Sequence, residues 1–428
     1  MPLCRNVFAR QRKLPMVRQS VACQPAEHRP GQVTCDGFGE RHGSQSCAPA
    51  AAVVTPRREG FLSAGACGPS LGVMGAETRH RSARFTLGRL TRARMDNDVF
   101  RWEAAEVLRR AVGFDTWCWV LLDPATGMPT RYASTNPVID RDQRRFFPLE
   151  LQSRAASIPS GRTWPAEVNV LSAATGGALE RDPLWREMLG PAGLGDQLGA
   201  PLGADGVDWA HLTLYRDDGR AWFDPGDAAF IASVAPLLAV RLRSGLRHTT
   251  PASTDPAEPG TIIVDRDLKL LTATSHAWRW IARLGLAKAS DAEPLPGFIY
   301  AMLARLAHTA QPDQTAQVRL QAADGTWTLV RAAQLTGPHV DGGYAITVQT
   351  APAADLTGVL MPAWNLTPRE REVAALIIDG RSSDDIAASL FLSPHTVRDH
   401  TKAIFGKVGV HNRRHLSAAL TGQPGEAA

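Results

Sequence analysis

Long apolar runs are what this 428-residue chain most conspicuously lacks. No stretch approaches the ~20 apolar residues that a membrane helix needs. The first residues mix charges and prolines with no apolar centre, so no secretory leader is expected either. Cysteine is nearly absent from the body: Cys4, Cys23, Cys35, Cys47 and Cys67 precede residue 95, and only Cys118 follows it. No two stand as C-x-x-C, which argues against a zinc site. Without a leader, a disulfide framework has no oxidising compartment to form in. Catalytic signatures are missing too. There is no G-x-x-x-x-G-K-[ST] phosphate loop, no H-E-x-x-H and no G-x-S-x-G. Nor is there an early acidic pair followed by a strand-end Asp and a Lys, as a phosphorylatable receiver would carry. The reading is of a cytoplasmic protein that is not an enzyme, with no cofactor and no membrane partner.

The formal charge of +5 is misleading. Residues 1–94 hold ten net positive charges and the remainder five net negative ones. The overall basicity therefore says nothing about whether the body binds nucleic acid. Those first 94 residues show no sustained apolar period of 3.6 or 2 and are rich in Arg, Gly, Pro and Ser. Three readings stand for them: a disordered basic arm, upstream sequence ahead of a start at Met95, or a targeting or metal-binding segment. A variant beginning at Met95 is expected to fold.

From Met95 the pattern becomes α/β. In "MDNDVFRWEAAEVLRRAVGF", Phe100, Ala104, Val107, Leu108, Ala111 and Val112 share one helical face. "TWCWVLLD" and "PTRYAS" read as strands around the turn "PATG", and "DQLGAPLGADGVDWAHLTLYRDDG" as a later hairpin. Asp224, Pro225 and Asp227 then open a helix with a capping box, whose stripe is Phe230, Val234, Leu237, Leu238 and Leu242. Residues 247–260 are rich in Pro and Thr, a linker composition. "GTIIVDRDLKLLTATSHAWRWIARLG" follows as strand, turn, strand, helix. "AQVRLQAADGTWTLVRAAQL" and "GGYAITVQT" add three strands, two of them joined at Asp324-Gly325.

Several side chains in this body invite a ligand. Trp117, Trp119, Trp209, Trp278, Trp280 and Trp327 have the bulk to line a pocket, but core packing is the favoured reading of each. His211 and His276 have the chemistry to hold haem iron, yet a lone histidine is more often structural. Cys118 sits among Trp117, Trp119, Val120 and Leu121, where a buried thiol is inert.

The C-terminal stretch, residues 364–422, reads as four helices. Thr367, Pro368 and Glu370 build a capping box for the first, with Val373, Leu376 and Ile377 inward and Gly380 ending it. Ser382 and Asp385 open the second, with Ile386 and Leu390 inward. Ser393 caps the third, whose buried side is Val397, Ile404 and Val408. Asn412 caps the fourth, with Leu416 and Leu420 inward. A short helix, a tight turn and a longer helix make a helix-turn-helix. If Val397 and Ile404 are inside, then His395, Arg398, Asp399 and Lys402 project together at i, i+3, i+4 and i+7. Arg and Lys can donate to guanine O6 and N7, and Asp can accept from cytosine N4. Thr396, His400, Lys407 and Arg413 suit phosphates. A merely solvated polar face has the same spacing.

Resemblance narrows that choice. "LTPREREVAALIIDG", "IAASLFLSPHTVRDH" and "IFGKVGVHNR" look like the LuxR-type DNA-binding domain without a gap. The resemblance implies a third helix in the major groove, with Arg398, Asp399 and Lys402 facing bases and Thr396 and His400 facing the backbone. It also implies a fourth helix that helps pair two domains. Asp385 stands where that family usually has Glu. Asp399 is acidic where the family is often apolar or polar. Upstream, residues 95–246 resemble a GAF domain by element order, and residues 261–350 resemble a PAS domain.

The expectation is thus a multidomain α+β chain. A tail spans 1–94, a GAF-like sensor 95–246, a linker 247–260, a PAS-like domain 261–350, a second linker 351–363, an all-α four-helix helix-turn-helix domain 364–422 and a short tail 423–428. Its expected partners are double-stranded DNA, a second copy of the chain, a small molecule in either sensor, and RNA polymerase. The alternative is that the front domains bind no small molecule and serve only for dimerisation and protein contacts.

Overall fold

The computed structural model describes residues 71–155, 164–246, 258–285, 294–308, 315–337 and 342–421. The chain opens with helices α1 (Leu71–Leu90) and α2 (Asn97–Val112). Asp96 caps α2 by accepting from the amide of Asp98 at 2.6 Å, and Gly113 ends it at φ 74°, a left-handed position that suits glycine. Strands β1 (Thr116–Leu122) and β2 (Pro129–Ser134) form the expected first hairpin. Next come α3 (Pro137–Arg141), α4 (Gln143–Ala155), β3 (Asn169–Val170), α5 (Leu171–Ala174), β4 (Leu194–Ala204), β5 (Val207–Asp217) and α6 (Pro225–Gly245). The capping box read at Asp224 and Asp227 is present.

These strands make an antiparallel sheet in the order β2-β1-β5-β4-β3. Alternation along β1 sorts its side chains between two cores. Trp117 and Trp119 join Phe100, Leu108, Leu214 and Leu238 on the side of α2 and α6. Cys118, Val120 and Leu122 face the other way, toward Phe146 and Phe147 of α4.

The second unit holds β6 (Gly260–Val264), β7 (Leu270–Ala273), α7 (Ser275–Leu284), α8 (Gly297–His308), β8 (Thr315–Gln321), β9 (Trp327–Gln334) and β10 (Tyr344–Thr350). Its sheet order, β7-β6-β10-β9-β8, repeats that of the first sheet strand for strand. Helix α8 packs against α4, so Phe298, Ile299 and Met302 share a core with Phe146 and Phe147.

The chain ends in α9 (Ala353–Ala363), α10 (Pro368–Ile378), α11 (Ser383–Leu390), α12 (Pro394–Val408) and α13 (Arg413–Thr421). The described residues form one unit by their contacts.

The structure corrects the sequence reading in several places. The stretch assigned to the tail contains α1, which buries Ala83 and Leu87 against the α2 and α6 side of the first sheet. Its His80 ring stacks on Phe230 at 4.1 Å. The apolar stripe of α1 is only two side chains deep, too narrow to stand out from its Arg-rich surroundings. Residues 1–70, where the three readings of the tail compete, lie outside the described residues, as do most of the first linker and residues 423–428.

The second linker is helix α9, not a spacer. Leu356, Val359 and Leu360 pack on Trp327 and Leu329, while Met361 enters the C-terminal core. Helix α6 is, by length and composition, the one described helix that could cross a membrane, and half of its apolar window is buried. Its Arg241 and Arg243 are buried too, as suits a helix packed on a sheet.

Candidate nucleic-acid interface

The C-terminal core is a small closed cluster. Val373, Ala374 and Ile377 of α10, Ile386 and Ala387 of α11, Val397, Ile404 and Val408 of α12, and Leu416 and Leu420 of α13 are all buried. Burying them fixes the direction of every other side chain on these helices. The local sequence sets the ends. Capping boxes at Thr367/Glu370 and Ser382/Asp385 start α10 and α11. The Ser393 hydroxyl accepts from the Thr396 amide at 3.1 Å to start α12, and the Asn412 side chain accepts from the His415 amide at 2.8 Å ahead of α13. The hydrogen bonds from Ser382 hold the Asp385 carboxyl below its ordinary range.

Between α11 and α12 the turn passes through Phe391, which takes a left-handed conformation at φ 53°. Its ring is 97% exposed. The sequence marks "FLS" as the turn here, but nothing in it marks Phe391 as left-handed.

The predicted face exists. His395, Arg398, Asp399 and Lys402 are all exposed along one side of α12. Asp399 pairs with His395 at 3.1 Å, one helical turn back, and so holds neither Arg398 nor Lys402. Arg398 and Lys402 have no partner among the described residues, which leaves one guanidinium and one ammonium group free for a ligand. Thr396 and His400 flank this face, half-buried, with the Thr396 hydroxyl bonded to Ser393 at 2.9 Å.

Two residues read as phosphate contacts are differently employed. Lys407 donates to Glu370 at 2.6 Å and to the carbonyl of Asn365 at 3.3 Å. Burial pushes the Glu370 carboxyl up. The hydrogen bonds from Lys407 and Thr367 outweigh that and hold it below its ordinary value. Arg413 donates to the carbonyl of Arg381 at 2.6 Å and to the Ser383 hydroxyl at 2.8 Å. It therefore ties the start of α13 to the start of α11. Both cations are part of the fold, because partners distant in sequence come within reach once the helices pack. The ionic role of Glu370 was also missed, since its capping role alone accounts for its spacing.

The fourth helix turns its apolar pair inward, as its spacing indicates. Leu416 and Leu420 are both fully buried inside this one domain. Helix α9, absent from the sequence reading, packs against α13.

Upstream, the tempting residues are mostly core. Trp117, Trp119, Trp209, Trp280 and Trp327 are buried, whereas Trp278 is 38% exposed. His276 pairs with Glu258 at 3.0 Å. His211 is buried and stacks on Trp164 at 4.5 Å, and Arg154 lies over the Trp164 ring at 3.7 Å. Burial first, and then the charge of Arg154, lowers the imidazole pKa of His211 well below its usual value. Burial likewise pushes the Cys118 thiol far up, which keeps it unreactive. Among the described residues no three His, Cys, Asp or Glu side chains are placed to hold a metal.

Residues 364–419 match the family described as bacterial regulatory proteins, luxR family. Spore germination protein GerE of Bacillus subtilis is 44% identical over 48 residues, which are 11% of this chain and 65% of that one. GfsR of Streptomyces halstedii, named as an HTH-type transcriptional regulator, is 36% identical over 73 residues, or 17% of this chain and 30% of GfsR. An HTH-type transcriptional regulator of Mycobacterium tuberculosis is 44% identical over 62 residues, 14% of this chain, and the match spans 7% of that protein's length. Among solved structures, Escherichia coli SdiA covers 80% of this chain and 97% of its own at 14% identity and a TM-score of 0.29. That superposition is too loose to bear on function.

Proposed function

From a C-terminal domain that belongs to the luxR family of bacterial regulatory proteins, we propose that the chain is a sequence-specific DNA-binding transcriptional regulator. Helix α12 enters the major groove. Arg398 and Lys402 donate to base edges, Asp399 accepts there, and His395, Thr396 and His400 line the approach to the backbone. The observation that carries this is the pair Arg398 and Lys402, exposed and unengaged on a helix whose other cation, Lys407, is consumed by the fold. The regulator acts as a homodimer on two half-sites, with RNA polymerase as its downstream partner. Leu416 and Leu420 are spent internally, so pairing uses the remaining surface of α13 and helices of the front units.

The front units are read as GAF-like and PAS-like signalling modules, supported by the shared strand order of their two sheets. A second reading, in which the first unit takes no small molecule inside its sheet, rests on one observation. The cavity lined by Cys118, Tyr132, Phe146, Glu150 and Trp164 offers only about 10 Å³ among the described residues, room for a single water at most.

The test is selection of a preferred duplex from random sequences, then titration of that duplex and a scrambled one with the protein and with Arg398→Ala. Preferred binding that narrows in the variant is expected. No selectable duplex, or an unchanged ratio between the two duplexes, overturns the assignment.

A further inference from the structure

Between the two front units lies an open cleft of about 1100 Å³. One wall is the turn Thr91–Asp98 joining α1 to α2, together with the last turn of α6. The facing wall is the end of β8 and the hairpin that follows it. Met95, Leu121, Pro124 and Leu246, partly exposed, contribute apolar surface, with Trp209, Leu242, Trp327 and Val359 buried behind them.

The charge of the lining is lopsided. Five arginines, Arg92, Arg94, Arg131, Arg241 and Arg319, stand against Asp96 and Asp98. Both carboxylates are committed, Asp96 to the cap of α2 and Asp98 to Arg101 at 2.5 Å. Three of the arginines are committed too. Arg131 lies 3.7 Å from Asp98, Arg241 donates to Asn97 at 2.8 Å, and Arg319 donates to Asp123 at 3.1 Å. Arg92 and Arg94 remain, exposed and without a partner among the described residues. A further donor is unmatched: the indole N–H of Trp209, on a residue only 3% exposed, finds no acceptor among the described residues. An apolar trough edged by surplus donors suits a molecule with an anionic head and an apolar body.

We propose that this cleft binds a small amphipathic anion, with a carboxylate or phosphate held by Arg92 and Arg94 and an apolar body laid against Met95, Leu121 and Leu246. The site touches the first unit, the second unit and, through Val359, the helix that leads into the C-terminal domain. An occupant there favours whichever arrangement of these parts binds it better.

The experiment titrates sodium decanoate, decyl phosphate and neutral decanol, each below its aggregation concentration, into the full chain by calorimetry. No DNA is present, so the result is independent of what α12 reads. Saturable one-to-one binding of decanoate or decyl phosphate is expected, and the preferred one identifies the head group. The double variant Arg92→Glu/Arg94→Glu alters only exposed side chains and should bind about tenfold more weakly or worse. The proposal is overturned if neither anion binds saturably, if the double variant binds as tightly, or if decanol binds as well as the anions.

Discussion

Asp123 and Arg319 meet 3.1 Å apart across the boundary between the two front units, the first just past β1 and the second on β8. Both are buried. The same carboxylate also accepts from the Arg319 amide at 2.9 Å, and the guanidinium reaches on to Asp355 of α9 at 3.5 Å. Arg331 approaches Asp355 from β9 at 3.2 Å. Asp123→Ala leaves a buried cation short of its main partner, and should cost about 3–5 kcal/mol. The Asp123→Ala/Arg319→Met double variant should cost clearly less than the sum of the two single changes. Urea melts of the four proteins check this; strict additivity contradicts the pairing.

Arg398 and Lys407 should part company in two different assays. Arg398→Ala is expected to lose about 1–3 kcal/mol on the preferred duplex and little on a scrambled one. Lys407→Ala removes the partner of a buried carboxylate, so it should lower the melting temperature while leaving the salt dependence of DNA binding nearly unchanged. A salt slope that falls by about one for Lys407→Ala would instead return that residue to the phosphates.

Glu370 sets a pH dependence. Its carboxyl titrates below the ordinary value of 4.5 in the folded chain. Its stabilising contribution is therefore fully present above 4.5 and disappears as the pH falls through the lower, folded value. Glu370→Gln should cost about 1–3 kcal/mol at neutral pH. The difference in melting temperature between the two proteins should shrink as the buffer is taken below 4.5. A constant difference across that range would exclude a charged role.

Phe391 occupies a left-handed position that glycine or asparagine adopts more readily, and its ring buries almost nothing. Phe391→Gly should relieve about 1 kcal/mol of backbone strain and raise the melting temperature. A lower melting temperature would show that the exposed ring makes stabilising contacts.

Helix α1 should matter to the fold, contrary to the expectation for a variant beginning at Met95. Leu87 is fully buried, and Arg84 donates to Ser233 of α6 at 2.9 Å. Leu87→Ala should cost about 2–4 kcal/mol. A variant starting at Met95 should melt below one starting at Leu71, and equal melting temperatures would restore the earlier expectation.

The sequence by itself determined the elements whose causes are local. Capping boxes at Asp224, Thr367 and Ser382 mark helix starts because a side chain bonds an amide only three residues away. The spacing of Val397, Ile404 and Val408 marks the buried side of α12, and so the face carrying Arg398 and Lys402. The strands around "PATG" and at Asp324-Gly325 are legible for the same reason, since alternation and turn chemistry span few residues. Only the tertiary structure decided what those elements meet. Lys407 looks like any surface cation until α10 brings Glu370 to it, and Arg413 until α11 brings Ser383. Helix α1 carries a stripe too narrow to notice, and it and α9 become core because α6 and Trp327 cover them. Asp123 and Arg319 are 196 residues apart. Nothing in local spacing can pair them, because such contacts depend on how two complete sheets come together.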